Sequence, residues 1–599
     1  MIYHCEDYTC NYWDEGEKLP ERCPQCGRKL LRANEADMTG DDWTALGNTL
    51  WDAEASDKKR MVDCFRKAAY LGSAWGVCNL GICMEQGNGV EADPVQAFWL
   101  YQQAVEMGSL NAVCCLGVCY QYGIGTAPDA KQAAELYCKA AEYGSPRGQM
   151  LLARAFHDGI GVEADAAEAV HWVRAAAYQR YGEGMHRLGV CYAYGDGVEQ
   201  NWEHAVHWFR EAAESGVSVA MTDLGYCYEK GRGVEQSWEQ AFSWYRRSAE
   251  CGNPVSMSNL GLCYQMGYGV EQNWQEAIKW YEQGAQCGDL QSMHNLACCY
   301  EGGEGVEQNE DRAFYWYRRS AEGGNGSAMC NLGRCYKRGY GVEQNWQEAV
   351  KWYEQGAQCG NLQSMHNLAC CYEHGEGVEQ NMTEAIRWYT AAAEGGNADA
   401  MHDLGWLYDH GEGVEQDMKK AICWYERAAE QNHPAAMNSL GECYAMGRGV
   451  PRDLETAMEW YRRAAELGEA MADYNMGWHL EQAGKLSEAY AHYRKAADGN
   501  DDSAWWALGR FYENGVVVAQ DGKEARRCYE TGEKLGSVKC KMRLARCKLL
   551  GIGGRREKKA GLDLCRQALE LAKESSEKED YGYEAEMNLL RRTIAENES

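Results

Sequence analysis

Proline and basic residues are scarce in this 599-residue sequence. It has only 8 prolines against 67 glycines, which favours helices stopped by glycine over a β-sandwich. Lys and Arg number 60 against 90 Asp and Glu, and the formal net charge is −30. Proteins that bind nucleic acids or anionic membranes need basic patches to replace counterions, so this acidity argues against both classes.

Long apolar runs are also missing. No segment approaches the roughly 18 uninterrupted apolar residues that a membrane-spanning helix needs. The first residues, Met1–Asp7, lack the basic and apolar stretches of a signal peptide. We therefore expect a cytoplasmic protein, in which the 29 cysteines are thiols or metal ligands unless their spacing forces disulfides.

The dominant feature of the sequence is an internal repeat with a period of 36 residues. Gly-x-Gly turns hold this period, and so do a tryptophan and a Leu-Gly or Leu-Ala pair. The turns begin at Gly87, Gly123, Gly159, Gly195, Gly231, Gly267, Gly303, Gly339, Gly375, Gly411 and Gly447. The tryptophans are Trp172, Trp208, Trp244, Trp280, Trp316, Trp352, Trp388, Trp424 and Trp460. Such regularity predicts a repeat architecture.

Each repeat has the sequence pattern of two helices. In one first helix, Met293, Leu296 and Tyr300 recur at spacings of three and four, which places them on one face. A Gly-x-Gly turn ends each first helix, because glycine permits the positive φ needed there. Asn273, followed by Glu276 three residues later, is typical of the start of a second helix. Leu-Gly-type positions indicate fifteen such units, from Leu46 to Leu544.

Four cysteines near the N-terminus have the spacing of a zinc site. Cys5 and Cys10 form one pair, and Cys23 and Cys26, in Cys-Pro-Gln-Cys-Gly, form a second pair after 12 further residues. Two close pairs of thiolates predict one structural zinc ion in a closed tetrahedral site. So short a segment needs such a ligand because it cannot bury a sufficient core. His4 in place of Cys5, redox iron, a disulfide pair and a segment without metal remain alternatives.

The repeats resemble the Sel-1-like repeat family, a relative of the tetratricopeptide repeats. The resemblance rests on Leu-Gly-x-x-Tyr-x-x-Gly-x-Gly-Val, as at 260–270, and on Ala-x-x-Trp-Tyr-x-x-Ala-Ala-Glu, closely matched at 205–214. It covers roughly residues 40–575. The family implies an α/α superhelix that serves as an adaptor or scaffold for protein complexes, and it implies no catalytic residue set. The N-terminal segment is similar to zinc-ribbon and rubredoxin-like knuckles.

Together these patterns predict the fold class and the domains. The fold is all-α, an α/α superhelical solenoid of about fifteen ~36-residue helix-turn-helix repeats, preceded by a small zinc ribbon. We predict a zinc-ribbon-like domain at 1–38, the repeat solenoid at 39–575 and a C-terminal capping helix at 576–599.

One cysteine column follows the repeat. Equivalent cysteines of adjacent repeats should lie about 8–10 Å apart, too far for disulfides, so we expect small buried side chains. The column contains Cys83, Cys119, Cys191, Cys227, Cys263, Cys299, Cys335, Cys371 and Cys443. A secreted, cysteine-rich branch of the resembled family has a Cys-x7-Cys disulfide in each repeat, and β-lactam-binding or -hydrolysing activity has been attributed to it. That spacing does not repeat here.

Similarity to tetratricopeptide repeats implies that the positions two before and two after the repeat leucine face a concave groove. Aromatic and Arg residues are enriched in binding hot spots. The predicted partner-binding groove residues are His294, His366, His402, Trp406, Trp478, Trp506, Arg334 and Arg510. A patch of His366, Cys370 and His374, facing His402, Trp406 and His410, could be a partner hot spot, a metal site or a solvated groove. Four tryptophans that open second helices, by contrast, are expected to pack over the turns: Trp202, Trp238, Trp274 and Trp346.

The absence of catalytic motifs completes the functional prediction. The sequence has no phosphate-binding loop, no Gly-x-Ser-x-Gly elbow and no zinc-protease helix motif. We predict a non-enzymatic scaffold that binds a basic or neutral protein or peptide in the groove, with no membrane and no nucleic acid as partner. One alternative is a regulatory protein whose zinc ribbon contacts nucleic acid or a macromolecular machine. A weaker alternative is a β-lactam-binding or -hydrolysing enzyme.

Overall fold

The computed structural model describes residues 2–5, 13–15, 30–33, 38–51, 55–578 and 584–598. The chain divides into two compact units, unit 1 at Met1–Gln308 and unit 2 at Asn309–Ser599. Three predicted zinc ligands, Cys10, Cys23 and Cys26, lie outside the described residues, and so does the side chain of Cys5.

Three short strands open unit 1. They are β1 (Ile2–Cys5), β2 (Trp13–Glu15) and β3 (Leu30–Ala33). The sheet is antiparallel with the order β2-β1-β3, and Tyr3 pairs with Asp14 on one side and Arg32 on the other. This sheet is the only β-structure among the described residues, and everything from residue 40 onward that has regular structure is helical.

Among its described residues, unit 1 continues with fifteen helices. They are α1 (Gly40–Thr49), α2 (Ala55–Tyr70), α3 (Ala74–Gln86), α4 (Pro94–Glu106), α5 (Leu110–Tyr122), α6 (Ala130–Glu142), α7 (Pro146–Asp158), α8 (Ala166–Tyr178), α9 (Gly182–Tyr194), α10 (Trp202–Glu214), α11 (Ser218–Lys230), α12 (Trp238–Glu250), α13 (Pro254–Met266), α14 (Trp274–Gln286) and α15 (Leu290–Gly302).

The part of unit 2 that the structure describes contains sixteen helices. They are α16 (Glu310–Glu322), α17 (Gly326–Arg338), α18 (Trp346–Gln358), α19 (Leu362–His374), α20 (Met382–Gly395), α21 (Ala398–His410), α22 (Met418–Glu430), α23 (Pro434–Met446), α24 (Leu454–Glu466), α25 (Ala470–Gln482), α26 (Leu486–Asp498), α27 (Asp502–Asn514), α28 (Gly522–Lys534), α29 (Val538–Leu550), α30 (Lys558–Lys578) and α31 (Glu584–Glu598).

The helices pack in consecutive pairs. In unit 1, α1 packs on α2, and the pairing continues to α13 with α14; in unit 2 it runs from α17 with α18 to α29 with α30. We call the odd-numbered helices up to α29 first helices and the even-numbered ones second helices. First helices of neighbouring repeats also touch, as α13 touches α15 and α17 touches α19. The prediction of paired helix-turn-helix repeats is confirmed.

The turns show why the sequence pattern recurs. Gly267 ends α13 with a φ of +74°, and the Asn273 side chain accepts a hydrogen bond from the Glu276 N–H at 3.2 Å to start α14. At Gly269, φ is +69° and an added Cβ would lie 2.2 Å from the Trp238 carbonyl oxygen. The turn of one repeat therefore packs on the start of the preceding second helix.

The tryptophans that open second helices pack over the turns, as predicted. Trp238 stacks on Tyr268 of the next turn with a ring separation of 4.2 Å, and the Arg232 guanidinium lies 4.9 Å from the Trp202 ring. An added Cβ at the second turn glycine would lie 2.5 Å from Trp274 in one repeat and 2.5 Å from Trp346 in another. These contacts account for the spacing of tryptophan and glycine in the sequence.

A column of buried tyrosines forms the core between the helices of each pair. Tyr281 is an example: an added Cβ at Gly261 would lie 2.5 Å from its ring, and its hydroxyl donates to Gln265 Oε1 at 2.7 Å. The fully buried members are Tyr101, Tyr137, Tyr245, Tyr281, Tyr317, Tyr353, Tyr389, Tyr425, Tyr461, Tyr493 and Tyr529. Phe65 and Phe209 occupy the same position in α2 and α10, whereas α8 has Val173 there.

The cysteine column is buried, and every cysteine whose side chain is described is free of disulfides. This confirms the prediction of small buried side chains. Burial raises the pKa of Cys191 to about 11 and that of Cys371 to about 12, so these thiols stay protonated at neutral pH. None of the described helices has the length and apolarity that crossing a membrane requires.

The last helix covers the end of the repeats in unit 2. Met587 and Leu590 of α31 join a hydrophobic cluster with α29 and α30. The Arg543 guanidinium binds Glu586 Oε1 at 2.7 Å, and Arg556 donates to Asn597 Oδ1 at 2.6 Å. Because α30 continues to Lys578, the predicted boundary at residue 575 falls inside that helix.

Candidate functional site

Two predicted groove histidines meet at one carboxylate in unit 2. His366 Nε2 of α19 lies 2.9 Å from Asp403 Oδ2 of α21. His402 Nδ1 lies 3.1 Å from the other oxygen, Asp403 Oδ1. The two histidine side chains are only 13% and 21% exposed. Asp403 therefore links α21 to α19 through His366 and also holds His402, its neighbour on α21.

Hydrogen bonds within this cluster determine which of its side chains are charged. Burial lowers the pKa of His366, but the hydrogen bonds with Asp403 and Cys370 outweigh it and raise the pKa to about 10. Burial acts to raise the pKa of Asp403, yet the hydrogen bonds from His366 and His402 hold it well below its usual range. At neutral pH the cluster thus contains a protonated His366 beside an ionised Asp403.

A thiol and a phenol border the same cluster. Cys370 Sγ lies 3.8 Å from His366 Nε2, and the Tyr389 hydroxyl lies 3.2 Å from Cys370 Sγ while it donates to Glu373 Oε2 at 2.6 Å. One ligand atom each from His366, Cys370 and Asp403 lie within 4.8 Å of one another, a spacing that could hold a metal ion.

The outer histidines of the predicted patch point elsewhere. His374 Nδ1 donates to the Cys370 carbonyl at 3.0 Å, and His410 Nδ1 donates to the Trp406 carbonyl at 3.0 Å. Both side chains therefore fold back on their own helices. They do not belong to the group of ligand atoms around Asp403.

The sequence prediction missed Asp403 and also His433. His433 stacks on His402 with a ring separation of 5.2 Å, and its Nε2 donates to Asp399 Oδ1 at 3.2 Å. Its Nδ1 accepts from the Ala436 N–H at 3.2 Å and so caps α23. The imidazole stack thus extends the cluster to a third first helix.

A spacing of 37 residues could have revealed the missing carboxylate. His366 and Asp403 are 37 residues apart, and in unit 1 His186 Nε2 lies 2.7 Å from Asp223 Oδ2 with the same separation. In both pairs, the histidine lies two residues before the leucine of the Leu-Gly or Leu-Ala pair in its own repeat. The aspartate lies one residue before the corresponding leucine of the next repeat. An Asp at the latter position is therefore the signal for a histidine–carboxylate pair.

The predicted groove tryptophans differ in exposure. Trp406 is half-buried, packs against the hydrophobic core and stacks on His410 with a ring separation of 4.3 Å. Trp478 is 41% exposed and touches His479 edge-on at 4.7 Å. Of these two indoles, Trp478 offers the larger open surface to a partner.

The remaining predicted residues lie on first helices. Trp506 is half-buried beneath Arg510, whose guanidinium is 4.6 Å from the ring and binds Glu481 Oε1 at 2.8 Å. Half-buried His294 of unit 1 has its Nε2 3.8 Å from Cys298 Sγ, and Arg334 of unit 2 is also half-buried. The structure thus joins His366 to His402 and Trp506 to Arg510, and partner binding by any of them stays a prediction.

The repeats match the sequence model of one family, the Sel1 repeat, fourteen times in succession. The matched segments are 76–109, 112–145, 146–181, 182–217, 218–253, 254–289, 290–325, 326–361, 362–397, 398–433, 434–469, 470–501, 504–537 and 538–573. The chain belongs to the Sel1 repeat family. The matches begin with α3, so the pair formed by α1 and α2 precedes the first recognised Sel1 repeat.

Solved structures of Sel1 repeat proteins resemble this chain. The antigen c5321 of uropathogenic Escherichia coli, described as a protective antigen with an SLR fold, is 32% identical, with a TM-score of 0.53; the match covers 75% of this chain and 97% of c5321. A Sel1 repeat protein from Oxalobacter formigenes is 31% identical, with a TM-score of 0.38 and coverage of 41% and 96%. No curated protein gives a significant sequence match.

Proposed function

We propose that this Sel1 repeat protein is a non-enzymatic scaffold that binds a protein or peptide partner. Sel1 repeat solenoids are typical of such scaffolds, because side-by-side helices present side chains from many repeats to one ligand. The proposed surface is the first-helix face of unit 2, defined by His366, His402, Trp406 and Trp478. The observation that carries the proposal is the pair of imidazoles, His366 and His402, linked through Asp403 on neighbouring first helices, together with the partly exposed indoles of Trp406 and Trp478 on first helices of the same unit.

The chemistry of the cluster supports binding over catalysis. A general base must accept a proton near neutral pH, whereas the pKa of His366 is raised to about 10 by its contacts with Asp403 and Cys370. Cys370 is a neighbour of this protonated imidazole and also of the Tyr389 hydroxyl, which donates to Glu373. These groups bond to one another, which favours a fixed recognition surface.

The charge of the chain supports a basic or neutral partner. The net charge is −30, and Asp399 beside the cluster has a side chain that is 54% exposed. Opposite charges on a partner would speed its encounter with this surface, and salt would slow it. An acidic partner would be repelled.

Affinity capture tests the function. The full-length protein, immobilised and incubated with a lysate from its source cells, should retain a defined set of proteins identified by mass spectrometry. The Trp478→Ala variant should lose them, while Trp99→Ala, which removes a 61% exposed indole from the second helix α4, should retain them. Identical retention by both variants would contradict the proposed surface.

We also propose one structural zinc ion bound by Cys5, Cys10, Cys23 and Cys26. Four thiolates are a donor set that zinc prefers, and a closed set of four leaves no open position for catalysis. Cys5 ends β1, the central strand of the antiparallel sheet, which supports a compact N-terminal domain around it.

Metal analysis tests the zinc proposal. The purified protein should contain about one zinc per chain, by the four-ligand stoichiometry of such sites. The double variant Cys23→Ser and Cys26→Ser should lose the metal and keep its helical circular dichroism, because the helices of the repeats begin after these cysteines in the chain, with α1 at Gly40. Full zinc content in the double variant would place the metal elsewhere.

We propose a cytoplasmic location. The buried cysteines of the repeats are free thiols, with no disulfide among those described, and such thiols persist in a reducing compartment. Fractionation of the source cells should recover the protein with cytoplasmic markers, and recovery with secreted proteins would contradict the proposal.

A further inference from the structure

Unit 1 contains a cavity of about 590 Å³ between α7, α8 and α9. Its apolar wall includes Met150, Leu151 and Val173, and its rim is polar. Pockets that bind small molecules usually have about 300–1,000 Å³. The cavity belongs to unit 1, whereas the proposed partner surface is built from residues of unit 2, so the proposed scaffold function leaves the cavity unexplained.

The cavity arises from a break in the tyrosine column. Every second helix from α2 to α28 except α8 has a buried Tyr or Phe at this position, and α8 has Val173. In most other repeats the ring packs on the glycine after the repeat leucine, as Tyr137 packs on Gly117. Here that position is Ala153, which lines the cavity together with Val173. The cavity therefore lies where the ring lies in the other repeats.

The polar end of the cavity also corresponds to a tyrosine. The hydroxyls of Tyr101, Tyr137 and Tyr245 each donate to a residue 16 positions earlier, at 2.6 to 2.7 Å. For position 173 the equivalent residue is His157, which also lines the cavity. His157 thus occupies the sequence position whose side chain accepts the tyrosine hydroxyl's hydrogen bond in those three repeats.

Two further polar groups converge on this end. Asp196 Oδ2 lies 3.3 Å from His157 Nε2 and 3.4 Å from the Arg187 guanidinium. Arg187 lines the cavity as well, on α9. A hydroxyl at this end would therefore meet both hydrogen-bond donors and a carboxylate acceptor.

The charges of the lining favour an uncharged ligand. Three arginines, Arg147, Arg154 and Arg187, are matched by three acidic residues, which are Asp158, Glu183 and Asp196. His157 Nδ1 binds Asp158 at 2.7 Å, and Arg154 binds it at 3.4 Å, so these charges are already paired. A strongly charged ligand at this end of the cavity would have to displace such a pair.

We propose that this cavity binds a phenol ring, which replaces the tyrosine side chain missing from α8. The ring would pack on Val173 and Ala153, and its hydroxyl would bond near His157 and Asp196. Two sources share this chemistry, a small free phenol and the tyrosine side chain of a bound peptide. The inference does not depend on the proposed scaffold function.

Calorimetric titration of the full-length protein tests the proposal with 4-methylphenol, toluene and the amide of N-acetyltyrosine. The wild type should bind 4-methylphenol saturably and at least tenfold more tightly than toluene, which lacks the hydroxyl. Tighter binding of the tyrosine amide would indicate a peptide as the natural source, and tighter binding of 4-methylphenol would indicate a free phenol.

Two substitutions at one position provide the matched comparison. Val173→Tyr should fill the cavity, weaken 4-methylphenol binding at least tenfold and raise the Tm, whereas Val173→Ala should keep the space and the binding. Tyr fits beside Ala at this position, since Tyr389 and Ala369 are both fully buried in one pair. The proposal is overturned if the wild type binds no phenol saturably, if toluene binds equally well, or if Val173→Tyr binds as the wild type does.

Discussion

At the residue scale, contacts between neighbouring repeats determine the protonation state of individual side chains. His366 is the sharpest case, because its hydrogen bonds with Asp403 and Cys370 outweigh the effect of burial on its pKa. The pair joins α19 to α21 across a repeat boundary. Stability that depends on this pair must therefore depend on pH.

The His366→Gln variant should show this dependence. The pKa of His366 rises from 6.5 to about 10 on folding, so its contribution is complete below pH 6.5 and disappears as the pH rises through 10. The pKa of Asp403 is lowered, so its contribution disappears in acid, as the pH falls below the ordinary carboxyl range. The urea midpoints of the wild type and the His366→Gln variant should therefore differ most near pH 6 and least near pH 10.

The control for this prediction lies on the same helix. His374 has a side chain that is 62% exposed and bonds mainly to its own helix, so His374→Gln should leave the urea midpoint unchanged. A separation between wild type and His366→Gln that stays constant from pH 6 to pH 10 would contradict the assigned ion pair.

Cysteine reactivity gives a second prediction at the residue scale. Cys371 is buried with its pKa raised to about 12, whereas Cys359 at the end of α18 is exposed. Iodoacetamide at pH 8 should modify Cys359 in the native protein and leave Cys371 intact, because the thiolate is the reactive form. Peptide mass spectrometry measures both sites, and denaturant should make them react alike. Equal native labelling would show that the cysteine column is open to solvent.

At the scale of elements, the two glycines of one turn, Gly267 and Gly269, are required for different structural reasons. An added Cβ at Gly267 finds its nearest neighbour at 3.5 Å, so only the positive φ opposes substitution, at a cost of about 1–2 kcal/mol. At Gly269 the Cβ would collide with the Trp238 backbone of the preceding repeat, which adds roughly 1–3 kcal/mol. Gly269→Ala should therefore lower the urea midpoint more than Gly267→Ala. Equal losses would mean that turns and preceding helices are not in close contact.

Local elements could be predicted from the sequence because each signal is short-range and recurs in every repeat. The Asn273 cap, the Gly267 turn and the buried cysteines follow from such signals, and the structure confirms them. The bridge between His366 and Asp403 could not be predicted in the same way, since it depends on the register of two neighbouring helices. Val173 is visible in the sequence as an exception, but only packing shows that its neighbours leave the space open.

At the scale of the whole molecule, the helical repeat fold followed from the period of 36 residues, and the family followed from the motifs that recur with this period. Fourteen family matches and the paired helices confirm that prediction. The N-terminal zinc ligands lie outside the described residues, so their role stays a prediction. The proposed function requires that the first helices of unit 2 bind a partner. Trp478 is the most exposed of the predicted groove indoles, so its substitution tests this requirement best.

The most direct test is the affinity of a captured partner for three forms of the full-length protein. Calorimetry should show that Trp478→Ala weakens binding at least tenfold, equivalent to about 1.4 kcal/mol, with an unchanged Tm. Trp99→Ala should bind as the wild type does, and added salt should weaken wild-type binding if the partner is basic. Equal affinity of Trp478→Ala and wild type would contradict the central claim that the first-helix face of unit 2 binds the partner.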